Sequence, residues 1–493
     1  MRLPTSIQTQ LSEKRRDSIA IGIALLLAAS LRIINLLSQK AFWDDELFSV
    51  LLARKPFWDV LYGAIIDVHP PGHLLFLHAF YSMFGDADWA YRLPSVLSGC
   101  ALIIVVYFLG REFFDKTSAL LASFLVSISP FFIQLSNEAR SYSLATLAIT
   151  FMSYSLIKSF RTSETNWYRA YTISAILCAY IDHFAWIWLF MVNLFLLLKG
   201  KFREFLPSHL RIFLYGVPAL WLTIHQTLFS TEKLAPHVQR SFIYIPTVKK
   251  FFAVLWHVAT GYDYSGWSKA SLTVYSAEPL FWLAVAAYAS FLIAVIFAMT
   301  KARKDVLLFV LFSCFAPMIL LCALYPTRFE ARYVSFAVPP IVIFAAAGFR
   351  QLKYGLIGLS PLVVLSLSLT LKTLAMPWDP IHKEDYRAAL DYTFRVANEN
   401  DAVCGLVRPV EYYGPKEKKT HYFRYTTEIT FTSRHYARIF LLEPPLYVNP
   451  QKDRTRLDSA QRLLARYGYY LTNSIDFGKD GVYIFVHIFE LKT

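Results

Sequence analysis

The stretch that decides the fold runs from Phe42 to His73 and reads FWDDELFSVLLARKPFWDVLYGAIIDVHPPGH. Strongly apolar segments flank it on both sides, at 18–37 and 91–110. Acidic residues are scarce in this chain, yet five of them fall inside this stretch: Asp44, Asp45, Glu46, Asp59 and Asp67. Carboxylates gathered between two membrane segments predict a reaction centre that the rest of the chain holds in place.

The composition is that of a polytopic membrane protein. Of the 493 residues, 56% are hydrophobic and only 17% are charged, whereas a soluble domain carries about 25% charged residues. The formal charge of +14 comes from short basic clusters between apolar runs, as expected for cytoplasmic loops and contact with anionic membrane lipids. We therefore expect no nucleic-acid partner. The five cysteines form neither a disulfide framework nor a metal-binding pair.

Eleven transmembrane helices are predicted, because each proposed cytoplasmic loop between apolar segments then carries at least two Lys or Arg. Residues 1–17 are basic and are predicted to lie in the cytoplasm, followed by a retained first helix. The acidic stretch falls in an outer loop, 38–90, with a helix along the membrane interface. The predicted spans lie near 18–37, 91–110, 117–135, 143–157, two short helices within 170–198, 211–229, 279–299, 306–325, 333–348 and 355–374.

The apolar run 170–198 is interrupted only by Asp182 and His183. We expect two short helices that meet there, with the pair below the outer surface. An ionisable pair at that depth usually lines a cavity; a hydrogen-bonded structural turn is the alternative.

After residue 374 the sequence becomes polar. Helical patterns near 384–398 and 455–467 alternate with strand-like runs at 401–407, 437–442 and 481–490, and Gly478–Gly481 suggests a hairpin turn. The predicted domains are thus the cytoplasmic segment 1–17, a transmembrane domain at 18–374 and a small extracytoplasmic α/β domain at 375–493.

The carboxylates have several possible roles. Asp44, Asp45 and Glu46 follow the first span directly, while Asp67 and His69 precede a rigid diproline. Two acidic sites in one ordered loop could supply a general base for a hydroxyl or bind a divalent cation. The alternative is an exposed interfacial cluster.

Four arginines stand on the predicted outer side, where the charge bias of membrane proteins does not favour them. One opens the second span and three occupy short turns: Arg92, Arg140, Arg328 and Arg332. They could extend towards lipid headgroups, or bind the phosphate of a lipid-linked substrate, since guanidinium and phosphate match as a bidentate pair. A base opposite arginines that hold a phosphate leaving group is what glycosyl transfer from a lipid phosphate requires. A transporter or flippase with carboxylate ion sites is the alternative function, but those sites usually lie near the bilayer midplane between repeated halves.

The chain resembles a known family in several motifs over residues 20–350. It is similar to the bacterial protein O-mannosyltransferases, integral membrane glycosyltransferases of the GT-C fold that are related to the lipid A aminoarabinose transferases. The motifs that carry this resemblance are FWDDELFS, DVHPP, YRLPSVLSG, SNEARSYSL and RYVSFAVPP.

The resemblance implies an inverting glycosyltransferase that acts on the outer face of the cell membrane. Its donor would be a polyprenyl-phosphate-linked sugar and its acceptor a hydroxyl of a glycan, lipid or protein. The family's Asp-Glu motif falls on Asp45 and Glu46, with Asp45 as the implied base, and its second acidic motif falls on Asp67 and His69. Family members differ in metal dependence, so no metal ligand is assigned. Gly72 replaces the leucine that commonly follows the diproline.

We expect the substitution Asp45→Asn to abolish sugar transfer, because an amide cannot accept the proton of an acceptor hydroxyl. The variant should still insert into the membrane at the wild-type level. Transfer is measured on membranes that carry equal amounts of protein, with Asp59→Asn as a matched control that removes an acid from the same stretch. Near-normal turnover of Asp45→Asn would refute the assignment.

Overall fold

Most of the chain is helical, as the long apolar runs predict. The computed structural model describes residues 5–38, 41–67, 69–230, 247–261, 280–324, 330–375, 386–415, 421–424, 426–429, 436–443, 455–477 and 484–492. The helices up to residue 230 are α1 (Thr5–Leu37), α2 (Asp44–Ala53), α3 (Phe57–Ile66), α4 (Pro71–Phe84), α5 (Asp88–Phe113), α6 (Lys116–Ile128), α7 (Pro130–Leu135), α8 (Tyr142–Thr162), α9 (Thr165–Ile181), α10 (Phe184–Leu198) and α11 (Phe202–Ser230).

The later helices continue the same pattern and include one that the sequence did not predict, between the spans predicted at 211–229 and 279–299. They are α12 (Thr247–Thr260), α13 (Phe281–Lys301), α14 (Lys304–Val310), α15 (Ala316–Leu324), α16 (Val338–Gln351), α17 (Gly355–Ala375), α18 (Tyr386–Val396), α19 (Val407–Tyr413) and α20 (Thr455–Ala465). A π-helical turn at Leu311–Phe315 joins α14 to α15, and a 3-10 helix at Ala331–Ala337 leads into α16.

Seven helical segments in the described part of the chain are long and apolar enough to cross a membrane, which makes this an integral membrane protein. They are Ser18–Leu37, Asp88–Phe113, Tyr142–Thr162, Phe281–Lys301, Lys304–Leu324, Ala331–Gln351 and Gly355–Lys372. The other four predicted spans are also helical but do not meet that standard, so the total of eleven and the sidedness of the loops stay predictions. Three of these four are too short because of helix breaks. The span predicted at 117–135 is divided at Pro130, and the two within 170–198 are separated at Asp182–His183.

Both breaks have local causes. Proline has no N–H and favours the first position of a helix, so Pro130 ends α6 and begins α7. At Asp182 the backbone is extended, which ends α9, and its carboxylate accepts a hydrogen bond from the N–H of Phe184 at 2.8 Å, which begins α10. The two short helices predicted within 170–198 are therefore present.

The helix that the sequence predicts along the membrane interface, within the loop 38–90, corresponds to α3. Phe57, Trp58, Tyr62 and Ile66 of α3 all have exposed side chains, as a helix that lies along a membrane interface requires.

The first helix contains a fully buried arginine. The guanidinium of Arg32 donates to the hydroxyl of Ser136 at 3.0 Å and to the carbonyls of Ser127 at 3.1 Å and Val126 at 3.4 Å. Those carbonyls belong to the last turn of α6. Carbonyls in the last turn of a helix have no N–H partner within the helix, and they form the negative end of the helix dipole. Arg32 thus stabilises the break between α6 and α7 from the neighbouring helix.

Helix α16 lies at the centre of the helical unit and is buried along almost its whole length. It contains a run of small residues that ends at Gly348, and Gly348 allows α13 to approach closely. A side chain at Gly348 would collide with the backbone carbonyl of Ala294 on α13. The close helix contact therefore requires glycine at this position.

The polar tail forms the predicted α/β domain. Its strands are β1 (Ala402–Gly405), β2 (His421–Phe423), β3 (Arg438–Leu442), β4 (Tyr469–Asp476) and β5 (Phe485–Leu491), in the order β2-β1-β3-β5-β4. Strand β1 runs parallel to β2 and β3, while β5 is antiparallel to β3 and β4. The β4–β5 pair is the predicted hairpin, although its turn at Gly478–Gly481 lies outside the described residues.

Two compact units divide the chain. One comprises Met1–Leu37 with Ala53–Leu374, and the other comprises Ser38–Leu52 with Ala375–Thr493. The predicted domain division differs at one place, because it assigned 38–52 to the transmembrane domain. The structure groups this segment, which includes most of α2, with the α/β tail.

We expect Gly348→Ala to lower the free energy of unfolding by about 1–3 kcal/mol, because overpacking a helix contact forces backbone shifts. The measurement is thermal unfolding of the purified protein in detergent. Gly358→Ala on α17 is the matched control, since its added methyl group would meet only the Phe349 side chain at 3.7 Å. Equal unfolding temperatures for the two variants would contradict the close contact.

Candidate active site

The segment between α3 and α4 carries the motif Asp67-Val68-His69-Pro70-Pro71. Asp67 ends α3 in an extended conformation while its N–H still donates to the carbonyl of Gly63. Pro70 precedes α4 and Pro71 occupies its first turn, where the missing N–H of proline has no cost. The two prolines therefore fix the backbone direction between the acidic residue and the start of α4.

A chain of hydrogen bonds joins Asp67, His69 and Arg140. Nη2 of Arg140 lies 3.0 Å from Nε2 of His69, and Nδ1 of His69 lies 3.1 Å from the carboxylate of Asp67. Guanidinium nitrogens only donate, so Nε2 of His69 accepts and the ring proton is on Nδ1, from which it is donated to Asp67. The predicted second acidic motif and a predicted phosphate-binding arginine are thus directly connected.

Arg140 lies in the buried turn between α7 and α8, and several helices hold that turn. The hydroxyl of Ser95 on α5 donates to the carbonyl of Arg140 at 3.3 Å, and the ring of His73 on α4 lies 3.4 Å from the carbonyl of Ala139. At the other end of the turn, Ser136 accepts the hydrogen bond from Arg32. The Arg140 guanidinium is consequently presented from a fixed backbone.

Arg332 approaches the same place from the 3-10 helix before α16. Its guanidinium lies 5.5 Å from the ring centre of Tyr142, and that of Arg140 lies 5.9 Å from the same ring. Arg332 also forms an ion pair with Glu330 at 2.6 Å and contacts the ring of Tyr333 at 5.6 Å. Two predicted phosphate-binding arginines from distant parts of the sequence therefore share one aromatic ring, which favours both cations.

Two residues that the sequence analysis missed also shape this site. The amide of Gln226 on α11 donates to the carbonyls of Ala64 at 2.8 Å and His69 at 3.3 Å, which ties α11 to the acidic motif. Arg32 is the other, and a charge inside an apolar span is a recognisable signal. No comparable sequence signal marks Gln226.

Gly72 has a structural reason. A side chain there would place its first carbon 2.5 Å from the carbonyl oxygen of Tyr180, at the end of α9. The start of α4 and the end of α9 thus approach closely, an arrangement in which opposite ends of two helix dipoles attract. The departure from the family's leucine reflects this contact.

The Asp-Glu motif lies at the start of α2, in the unit that contains the tail. Glu46 is fully buried, and its carboxylate accepts from the N–H of Trp43 at 3.4 Å, which is half of a capping box. Asp45 is half-buried, and the preceding Asp44 forms an ion pair with Arg408 at 2.7 Å. Of the three acids, Glu46 therefore has a clear structural role at the helix start.

The remaining predicted site residues show no common centre. Asp182 caps α10, and Nδ1 of His183 lies 2.7 Å from the hydroxyl of Thr223, contacts that suit a structural turn. Arg92 is buried on α5, and Arg328 lies outside the described residues. Within the described ranges no three His, Cys, Asp or Glu residues come together as metal ligands.

Comparison with known proteins supports the predicted resemblance. Residues 68–225 match the dolichyl-phosphate-mannose-protein mannosyltransferase family. The putative mannosyltransferase YkcB of Bacillus subtilis (strain 168) is 24% identical over 161 residues, which cover 31% of this chain and 22% of YkcB. The chain thus matches only about a fifth of that relative's length.

The fold is shared with solved membrane proteins. ArnT from Cupriavidus metallidurans, solved with undecaprenyl phosphate, superposes with a TM-score of 0.59 at 11% identity, covering 94% of this chain and 98% of ArnT. The Archaeoglobus fulgidus oligosaccharyltransferase in its apo form gives 0.50 at 12% identity, over 84% of this chain and 65% of that one. The predicted GT-C-type helical bundle with a small C-terminal α/β domain is confirmed.

We expect the protein to lose stability in acid partly through His73. Burial, with a further contribution from Arg140, lowers the pKa of this histidine from 6.5 to about 3. The unfolded chain therefore binds a proton that the folded state does not, and stability is lost as the pH falls from 6.5 towards 3. Between pH 7.5 and 4.5 the unfolding temperature of the wild type should drop further than that of His73→Gln, in which an amide replaces the ring. Parallel curves for the two proteins would contradict the low pKa.

Proposed function

We propose that this protein is an inverting glycosyltransferase. It moves a sugar, a hexose or a pentose, from a polyprenyl-phosphate-linked donor to a hydroxyl of a glycan, lipid or protein on the outer face of the cell membrane. The similarity to the mannosyltransferase family and the fold shared with ArnT, solved with undecaprenyl phosphate, support this proposal.

The observation that carries the proposal is the pair of arginines on Tyr142. Arg140 and Arg332 bring two permanent positive charges to one ring at the predicted outer ends of the helices. A lipid phosphate that departs from a sugar gains negative charge, and fixed cations in a partly buried place stabilise that charge most strongly. Glu330 forms an ion pair with Arg332 and partly balances its charge.

The Asp67–His69–Arg140 chain contributes orientation. Because Asp67 fixes the ring proton of His69 on Nδ1, the ring presents its acceptor nitrogen to Arg140 and limits the motion of the guanidinium. Asp67 and His69 thereby act on the donor phosphate through Arg140.

Asp45 keeps the role of base that the family motif implies. It would take the proton of the acceptor hydroxyl as that oxygen attacks the anomeric carbon and the lipid phosphate leaves, so that the configuration at this carbon inverts. The burial of Glu46 against Trp43 favours Asp45 over its neighbour for this task.

The proposal is tested by the products. We expect a deletion strain to lack one sugar substituent in its envelope glycans or glycolipids, detected by mass spectrometry. The purified protein should then release undecaprenyl phosphate from the matching member of a panel of undecaprenyl-phosphate-linked sugars. NMR of the product should show that the new anomeric bond has the inverted configuration. An unchanged glycan profile together with no lipid phosphate release would refute the function.

We expect Arg140→Gln and Arg332→Gln each to lower turnover by about 100-fold, the typical loss for one donor that stabilises developing charge. The lysine variants should recover part of that loss, because they keep the charge but not the bidentate geometry. Arg161→Gln is the matched control: it removes an arginine paired with Glu112 at 2.6 Å, and Lys158 still pairs with the same glutamate at 3.2 Å. A loss in Arg161→Gln as large as in Arg140→Gln would contradict the assignment.

A further inference from the structure

The start of the acidic stretch is bound by helix α19 of the C-terminal tail. The backbone N–H of Phe42 donates to the hydroxyl of Tyr413 at 2.7 Å, and the rings of Phe42 and Tyr412 meet edge to face at 5.3 Å. Phe42 is fully buried. Two residues of α19, in the α/β tail, therefore fix the backbone immediately before α2.

Arg408, on the same short helix, contacts the first turn of α2. It pairs with the carboxylate of Asp44 at 2.7 Å, and its guanidinium lies 5.1 Å from the ring centre of Phe48, one turn further along. These contacts bracket Asp45, which lies between Asp44 and Phe48 on that turn. Both partners of the ion pair are partly exposed, at 41% and 46% of their side-chain surface. The pair therefore contributes little binding energy, and its main effect is to fix the position of the first turn of α2.

We infer that Arg408, Tyr412 and Tyr413 form a tail clamp that positions Asp45 for catalysis. The clamp acts through neighbours of Asp45, so its members are positioning residues. This inference rests on the proposed function, and it makes the α/β tail part of the catalytic apparatus instead of an accessory domain.

The contacts within the tail fit this role. Arg387 of α18 lies 5.1 Å from the ring centre of Tyr413, and Pro409 and Val410 of α19 are buried. The clamp is thus anchored in the domain that holds it. In α2, the cap between Glu46 and Trp43 makes the first turn a regular helix, so that fixing Phe42 and Asp44 also fixes the direction of Asp45.

Hydrogen exchange of the full-length protein in detergent tests the clamp without reference to activity. Tyr413→Phe removes only the hydroxyl that accepts from Phe42, and Arg408→Gln removes the charge that pairs with Asp44. We expect amides of residues 41–52 to exchange about three- to fivefold faster in each variant, in line with the loss of one partly exposed interaction. Arg395→Gln, an exposed arginine of α18, is the matched control and should leave this segment unchanged.

Turnover of the same proteins tests the catalytic consequence. With an undecaprenyl-phosphate-linked sugar as the donor, Arg408→Gln and Tyr413→Phe should each lower kcat about three- to fivefold and their combination about tenfold or more, with the KM for the donor unchanged. Arg408→Lys, which keeps the charge, should recover part of the loss.

Each outcome decides one of the two ideas. Unchanged exchange in residues 41–52 for both variants would overturn the clamp whatever the activity. Faster exchange with an undiminished kcat would overturn its catalytic role. If exchange is faster in the variants but the wild-type protein transfers no sugar from any donor, the clamp stands and the proposed function is refuted.

Discussion

A charge buried among membrane helices must be satisfied by other groups of the protein, and this constraint shapes the predicted substrate side of the helical unit. Arg32 is fully buried, and its hydrogen bonds go to a hydroxyl and to carbonyls at the end of α6. Those carbonyls are available because Pro130 interrupts the helix. The same arginine holds Ser136, the first residue of the turn that presents Arg140. One buried cation thus links a helix break to the placement of a second cation.

The membrane part of the fold could be predicted to a large extent, because apolar length and basic loops follow directly from burial in a bilayer. Every predicted span is helical, and the break at Asp182–His183 lies where two ionisable residues interrupt the apolar run. In the tail, helical and strand-like patterns located two of the three described helices, α18 and α20, and the final hairpin, but not α19. The grouping of Ser38–Leu52 with the tail could not be predicted. It depends on contacts such as that between Phe42 and Tyr413, which are 371 residues apart, and no local pattern records such a pairing.

The candidate site was predictable as a set of anomalies but not as an arrangement. Asp67, His69 and Arg140 each stood out by residue type and position. The order in which hydrogen bonds join them, Asp67 to His69 to Arg140, depends on how two separate turns are placed in the fold. No short sequence motif records that placement. The shared ring of Tyr142 was hidden for a related reason, because aromatic residues are abundant throughout this chain. Gly72 looked like a departure from a family pattern, and only the nearby carbonyl of Tyr180 shows why a side chain is excluded there.

The long separation between Phe42 and Tyr413 also has a consequence for biosynthesis. At a synthesis rate of about 5–20 residues per second, the residues between them take roughly 20 to 75 seconds to emerge. During that time α2 has been made while its partner helix has not. The acidic motif therefore reaches its final environment only after almost the whole chain has been translated. A chain that terminates before α19 inserts its first helices without that partner, so the start of α2 then lacks its contacts with Tyr413 and Arg408.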